Sequence, residues 1–267
     1  MKACLSFFRM RFKHTLQYRT AAWAGVSTQF FWGFMEIQLY RAFYADHAEA
    51  FPMALGALVS YIWLRQALLA LFNTWTLEAE LFDAVLTGNV AYELCRPVSM
   101  YGMWFARTVA NRLSKAALRF WPILLIAAIL PAPWGILPPV SFGAFIAFIV
   151  SAALAVCVTS AFLLIMYFSC FFTVSGDGVR AIFVPVADLL SGGLIPLPFM
   201  PGWLATILRF SPFGAMTNAP LRIYGGDIAG AMLWETLGLQ VFWLAALILI
   251  GLFMQRRGMR SLCVQGG

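Results

Sequence analysis

Residues 191–226 read SGGLIPLPFMPGWLATILRFSPFGAMTNAPLRIYGG, and the reading of this stretch decides the architecture. Leu194, Ile195, Leu197, Phe199, Met200, Trp203, Leu204, Ile207, Leu208 and Phe210 make it as apolar as a membrane segment. Yet Pro196, Pro198, Pro201, Pro212 and Pro220, with six glycines, break it repeatedly. A plain spanning helix would not be punctuated so often, because each internal proline removes a backbone bond and clashes with the turn before it. A segment that enters the apolar layer, turns and leaves on the same side satisfies both facts. Such backbone is tolerated at membrane depth only where protein or a cavity covers it. Gly202–Phe210 and Pro212–Ile223 each have room for a short helix, so 196–226 is predicted to be a re-entrant hairpin capping one face. Pro196, Pro201, Trp203, Pro212 and Pro220 are its candidate gate residues. The competing reading is a long loop resting on the membrane surface.

Composition supports the membrane. Of 267 residues, 62% are hydrophobic and 11% charged, against about a quarter charged in soluble domains. Mean hydropathy is +0.83. The net charge of +7 would suit a nucleic acid, but most Lys and Arg flank predicted spans, as the positive-inside rule places them. No nucleic-acid partner is expected. Cys4, Cys95, Cys157, Cys170 and Cys263 fall in spans or on the predicted cytoplasmic side, so no disulfide framework is implied. No CxxC or Cys/His cluster offers a metal site.

In chain order, residues 1–19 predict an interfacial helix rather than a secretory signal. Leu5, Phe8, Phe12 and Leu16 recur at helical spacing, with basic residues largely elsewhere on the wheel. Spans are expected at 21–45, 53–74, 113–130, 141–172, 180–195 and 229–254. The whole, 1–267, is then a single transmembrane domain: an all-α integral membrane protein with six transmembrane helices. Counting Lys and Arg beside the spans puts both termini and the 76–100 segment in the cytoplasm and the hairpin outside.

Three further features carry candidate function. Within 76–100, Thr76 can cap a helix and Glu78 and Glu80 sit near its start, where the dipole favours acid. Leu77, Leu81, Phe82, Val85 and Leu86 make one apolar face, and Gly88-Asn89 stops it. This face suits either a groove on a soluble partner or the chain's own bundle. In the fourth span Gly143, Ala147, Ser151, Ala155 and Thr159 place a small residue at every fourth position, which lets another helix approach closely.

Intramembrane charges need partners. Arg65 lies nine residues from the cytoplasmic end of its span and Asp188 eight residues into its own. At the helical rise those depths are about 14 and 12 Å, so the two are expected to pair. Glu36 is nearer the outer face, has no evident partner and is expected to line a polar cavity. Enzyme motifs are missing: there is no GxxxxGK[ST] and no HExxH. Residues 174–177, VSGD, lack the first glycine of the GxGD pattern of intramembrane aspartyl proteases.

The order of these elements resembles that of permease subunits of ATP-binding-cassette exporters of the second type, and the resemblance covers the whole chain. Residues 86–97, LTGNVAYELCRP, look like the family's G-x-x-x-x-x-L-x-R-P run after its coupling helix. SGGLIP, PGW, SPF and PLRIYG within 191–225 are similar to its outer hairpin signature. The resemblance implies a coupling helix at 76–88 contacting a separate ATPase through Glu78, Leu81, Phe82, Val85 and Arg96. It implies two ATPase copies that bind ATP and magnesium, with no cofactor on this chain and no enzymatic activity of its own. It also implies a second permease, identical or paralogous, surrounding lipid, and a bacterial cytoplasmic membrane. The expected function is export of an amphipathic or hydrophobic cargo. The alternative is a proton-coupled secondary transporter working through Arg65 and Asp188.

Overall fold

The computed structural model describes residues 2–15, 19–47, 49, 51–95, 97–173 and 175–260, and every regular element among them is helical. Leu16, Arg96, Val174 and Cys263, singled out above, lie outside the described residues. In order the helices are α1 (Lys2–Thr15), α2 (Arg19–His47), α3 (Leu55–Ala67), α4 (Leu69–Phe72), α5 (Ala79–Leu86), α6 (Val90–Leu94) and α7 (Met100–Ile129). Then come α8 (Phe142–Ser169), α9 (Gly176–Leu190), α10 (Gly202–Phe210), α11 (Asn218–Tyr224) and α12 (Gly230–Arg260), with a 3-10 turn at Leu197–Phe199.

Helix α8 is the central post. Along it pack α12, α11 and part of α7, while α2, α3 and the far half of α7 form a neighbouring cluster and α1 lies along α7. Ser151, Ala155 and Thr159 are fully buried, so the small-residue stripe of α8 serves packing within the chain. Two helices, α8 and α12, are long and apolar enough to cross a membrane. They sit differently: the most apolar window of α8 is 67% buried and that of α12 only 17%. Thus α12 turns Trp234, Phe242, Leu249 and Phe253 outward, away from the protein core.

Several boundaries differ from those expected. The helix expected over 53–74 is broken at Leu68 into α3 and α4, although neither Pro nor Gly stands there. The expected span at 113–130 begins thirteen residues earlier, at Met100, capped by the Ser99 hydroxyl, which accepts from the Gly102 amide. The expected fifth span does not reach Ile195: α9 ends at Leu190, and Ser191–Pro196 is irregular. Gly192 allows the turn with φ +82, and its carbonyl accepts from the Tyr61 hydroxyl at 3.3 Å. Helix α10 has the expected bounds, but Pro212–Thr217 are turns and α11 starts only at Asn218. Helix α5 starts at Ala79 with Glu78 in the cap position and no side-chain cap, so Thr76 does not begin it.

Candidate functional site

A cleft of about 740 Å3 opens between α2, the C-terminal end of α3 and the irregular residues Gly193–Ile195. Its walls are mainly apolar: Trp32, Met35 and Leu39 from α2, Leu69 from α4, Trp75 from the loop after α4, and Leu194. Trp32, Met35, Leu39 and Leu194 are all exposed, so the apolar rim is open rather than sealed in the core. Polar groups enter from two helices: Gln29, Glu36 and Tyr40 recur along one face of α2, and Arg65 and Gln66 end α3. The Gln29 side-chain oxygen is buried with no hydrogen-bond partner.

The cleft is organised by Arg65. Its Nη2 is paired with Glu36, while Nη1 donates to the carbonyls of Gly193 at 2.9 Å and Leu194 at 3.2 Å. One guanidinium therefore neutralises Glu36, the only carboxylate that lines the cleft among the described residues, and also satisfies backbone left open by the non-helical turn. Buried irregular backbone needs such partners. Glu36 lines this cleft, and it has a partner that the sequence did not reveal.

The expected Arg65–Asp188 pair does not form. Asp188 Oδ1 accepts from Thr74 at 3.4 Å, and its backbone carbonyl accepts from the Gly193 amide at 3.0 Å. Both charges face a small gap beside Phe72, Asn73 and Thr217, but Arg65 turns toward α2. Equal depth along two helices was a sound match in one dimension; the direction in which each side chain leaves its helix decides the partner.

The expected docking face of the 76–88 helix is also corrected. Leu81, Phe82 and Val85 are buried inside the chain itself, at 2%, 1% and 7% exposure. Phe82 meets the Tyr167 ring edge-on at 4.8 Å between centroids, and the Arg180 guanidinium covers it at 4.1 Å. Glu78 donates its backbone N–H to the Tyr167 oxygen at 2.9 Å, and its carboxylate is paired with Arg107 of α7. Arg107 also holds Glu80, and that bonded cation keeps the exposed Glu80 carboxyl below its ordinary range. The outward side of this helix is Ala79, Glu80, Asp83, Leu86 and Thr87, and Gly88 ends it with φ 75 as expected.

None of the five hairpin gate candidates lines the cleft. Pro196 and Pro220 are buried, Pro212 is half-buried, and Pro201 and Trp203 are exposed. The hairpin is instead fixed from behind. Gln240 of α12, fully buried, donates to the carbonyls of Ser151 at 3.1 Å and Ala215 at 2.9 Å and accepts from the Ser151 hydroxyl at 2.9 Å. Arg209 of α10 is paired with Glu235 of α12.

Gln29, Tyr40, Gln66 and Trp75 went unnoticed in the sequence. The one available signal was Gln29 and Glu36 seven residues apart, on one face of an otherwise apolar helix. No protein-family model matches the chain, and no match to it is found among curated proteins.

Proposed function

We propose that this chain is the membrane-spanning subunit of an ATP-driven exporter of the second type, moving an amphipathic or hydrophobic cargo out of a bacterial cytoplasm. In this reading α2, α3–α4, α7, α8, α9 and α12 are six spans, both termini are cytoplasmic, and α10 and α11 form the outer cap. A separate ATPase, in two copies, binds ATP and magnesium, and a second permease completes the pathway. The observation that carries the reading is the cleft between α2 and α3: apolar and exposed at its rim, with one neutralised ion pair and a bound stretch of irregular backbone at its end. An amphipathic molecule finds there an apolar wall and a few fixed polar groups, as ligand sites require. The outward α12 surface suits lipid. The ATPase would meet the exposed side of α5, through Asp83, Leu86 and Thr87. The proton-coupled alternative relied on an Arg65–Asp188 pair, and Arg65 is engaged by Glu36.

The test begins with the gene next door, which should encode a P-loop ATPase, and continues with its co-expression with this chain. The ATPase should co-purify in detergent, and its hydrolysis rate in nanodiscs should change when the chain is present. An unaltered rate and no complex would end the reading. Cysteine labelling of a Trp203→Cys variant on intact cells tests the topology, and labelling confined to the inside would reverse the cap.

A further inference from the structure

Charge left unexplained by the cleft lies on α7. Arg112, Lys115 and Arg119 recur three and four residues apart and so form one stripe along the helix. Arg112 is 4% exposed. Its Nη1 donates to the Leu71 carbonyl at 2.8 Å and more weakly to that of Ala70 at 3.5 Å, while Nε and Nη2 are buried with no hydrogen-bond partner. Arg119 lies over the backbone of α2: a Cβ added at Gly25 would stand 2.8 Å from the centre of its guanidinium. Lys115 is half-buried and within electrostatic reach of both arginines and of Glu78. That carboxylate is already paired with Arg107. Among the described residues none of Arg112, Lys115 and Arg119 has an ion-pair partner.

Partly buried cations in a low-dielectric setting require a counter-charge, and among the described residues these three have no carboxylate of their own. Side chains on a helix lean toward its N-terminus, so all three reach toward the end of α7 that carries α5. Guanidinium forks match the geometry of phosphate oxygens, and a basic recess between spans at the cytoplasmic side is suited to lipid headgroups. The surroundings favour a lipid over a free anion. Next to Gly25, Trp23 and Ala24 are exposed, and Trp121 on α7 is 68% exposed, so apolar side chains are available for acyl chains.

We propose that Arg112, Lys115 and Arg119, with the start of α2, bind the phosphate of an anionic lipid headgroup in the cytoplasmic leaflet. The proposal rests on the membrane placement given above, but not on the transport reaction.

The test is native mass spectrometry of the full chain released from nanodiscs of phosphatidylcholine mixed with phosphatidylglycerol. The wild type should retain phosphatidylglycerol several-fold above its share of the disc. Lys115→Gln with Arg119→Gln should bring retention down to that share, and Lys115→Arg with Arg119→Lys should keep the enrichment while controlling for folding. No enrichment in the wild type, or enrichment unchanged in the Gln variant, would overturn the site. In phosphatidylcholine discs, inorganic phosphate should leave the thermal midpoint unmoved; a rise abolished by the Gln variant would make the ligand a free anion and overturn the lipid assignment. Release of the chain from membranes by alkaline carbonate would refute the membrane placement itself, a result separate from any lipid preference.

Discussion

Glu36 on α2 and Arg65 on α3 form an ion pair at the edge of the cleft, and the same guanidinium holds the carbonyls of Gly193 and Leu194. The pair thus joins two helices and the irregular approach to α10. Removing one member leaves the other charged and uncompensated, which typically costs about 3–5 kcal/mol for a buried pair. Glu36→Gln and Arg65→Gln should each destabilise strongly, and the double variant should recover much of the loss in a double-mutant cycle. Asp188→Asn should show little coupling to Arg65→Gln. Unfolding in detergent followed by tryptophan fluorescence reads both cycles, and strictly additive losses for Glu36 and Arg65 would contradict the pairing.

Folding and partner contact are separated on the two sides of α5. Phe82→Ala opens a hole beneath Tyr167 and Arg180 and should lower stability by about 3–5 kcal/mol, the usual range for a buried Phe. Asp83→Ala with Leu86→Ala lies on the exposed side and should leave the melting midpoint nearly unchanged while weakening ATPase co-purification. A partner lost only with Phe82→Ala, in a protein that still folds, would show that the buried side is the contact.

Gln240→Leu keeps the side-chain volume and removes three hydrogen bonds, leaving the Ser151 and Ala215 carbonyls without that donor. Each stranded buried group costs about 1–3 kcal/mol. The hairpin should become the first site of proteolytic cleavage, between α10 and α11, before the helices melt. Mapping the earliest nick by mass spectrometry tests this, and an unaltered cleavage pattern would count against the clamp.

Glu80 supplies a pH dependence with a definite sign. Its folded carboxyl is held below the ordinary value by Arg107, so it binds protons less readily than in the unfolded chain. Its contribution is present above the unfolded pKa and is lost as pH falls through the folded one. The stability difference between wild type and Glu80→Gln should therefore be visible near pH 6 and shrink below about pH 4. Because the carboxylate is 72% exposed, the difference should be a fraction of a kcal/mol, about that of a surface pair. A gap that widens on acidification would reverse the assignment.

What the sequence makes legible is local. The bounds of α10 follow from Pro201 and the Ser211-Pro212 break, and the stop after α5 follows from Gly88 in a left-handed conformation. Ser151, Ala155 and Thr159 of the α8 stripe also pack as their spacing implies, while Gly143 stays exposed. What it leaves hidden is azimuth. Arg65 and Asp188 match in depth, yet Glu36 on another helix takes the bond because Arg65 leaves α3 toward α2. The start of α7 is obscured because Arg107 and Arg112 read as a polar segment, although both are buried in the same helix as Met103, Trp104 and Ala110. The break at Leu68 has no sequence mark at all, since RQALLA is good helix-forming sequence.

That break has an electrostatic consequence. Dividing the helix adds one C-terminus, that of α3, to the one at the end of α4 that an unbroken helix would also have, each with carbonyl oxygens directed outward and a partial negative charge. Arg65 stands in the last turn of α3, and Arg112 donates to the carbonyls of Ala70 and Leu71 in α4. Arg65 thus meets a negative pole beside its Glu36 partner, and the α4 carbonyls solvate one nitrogen of Arg112. A continuous helical register through Leu68 would remove the α3 pole beside Arg65 and leave the α4 pole beside Arg112 in place, so the discontinuity and Arg65 stand or fall together.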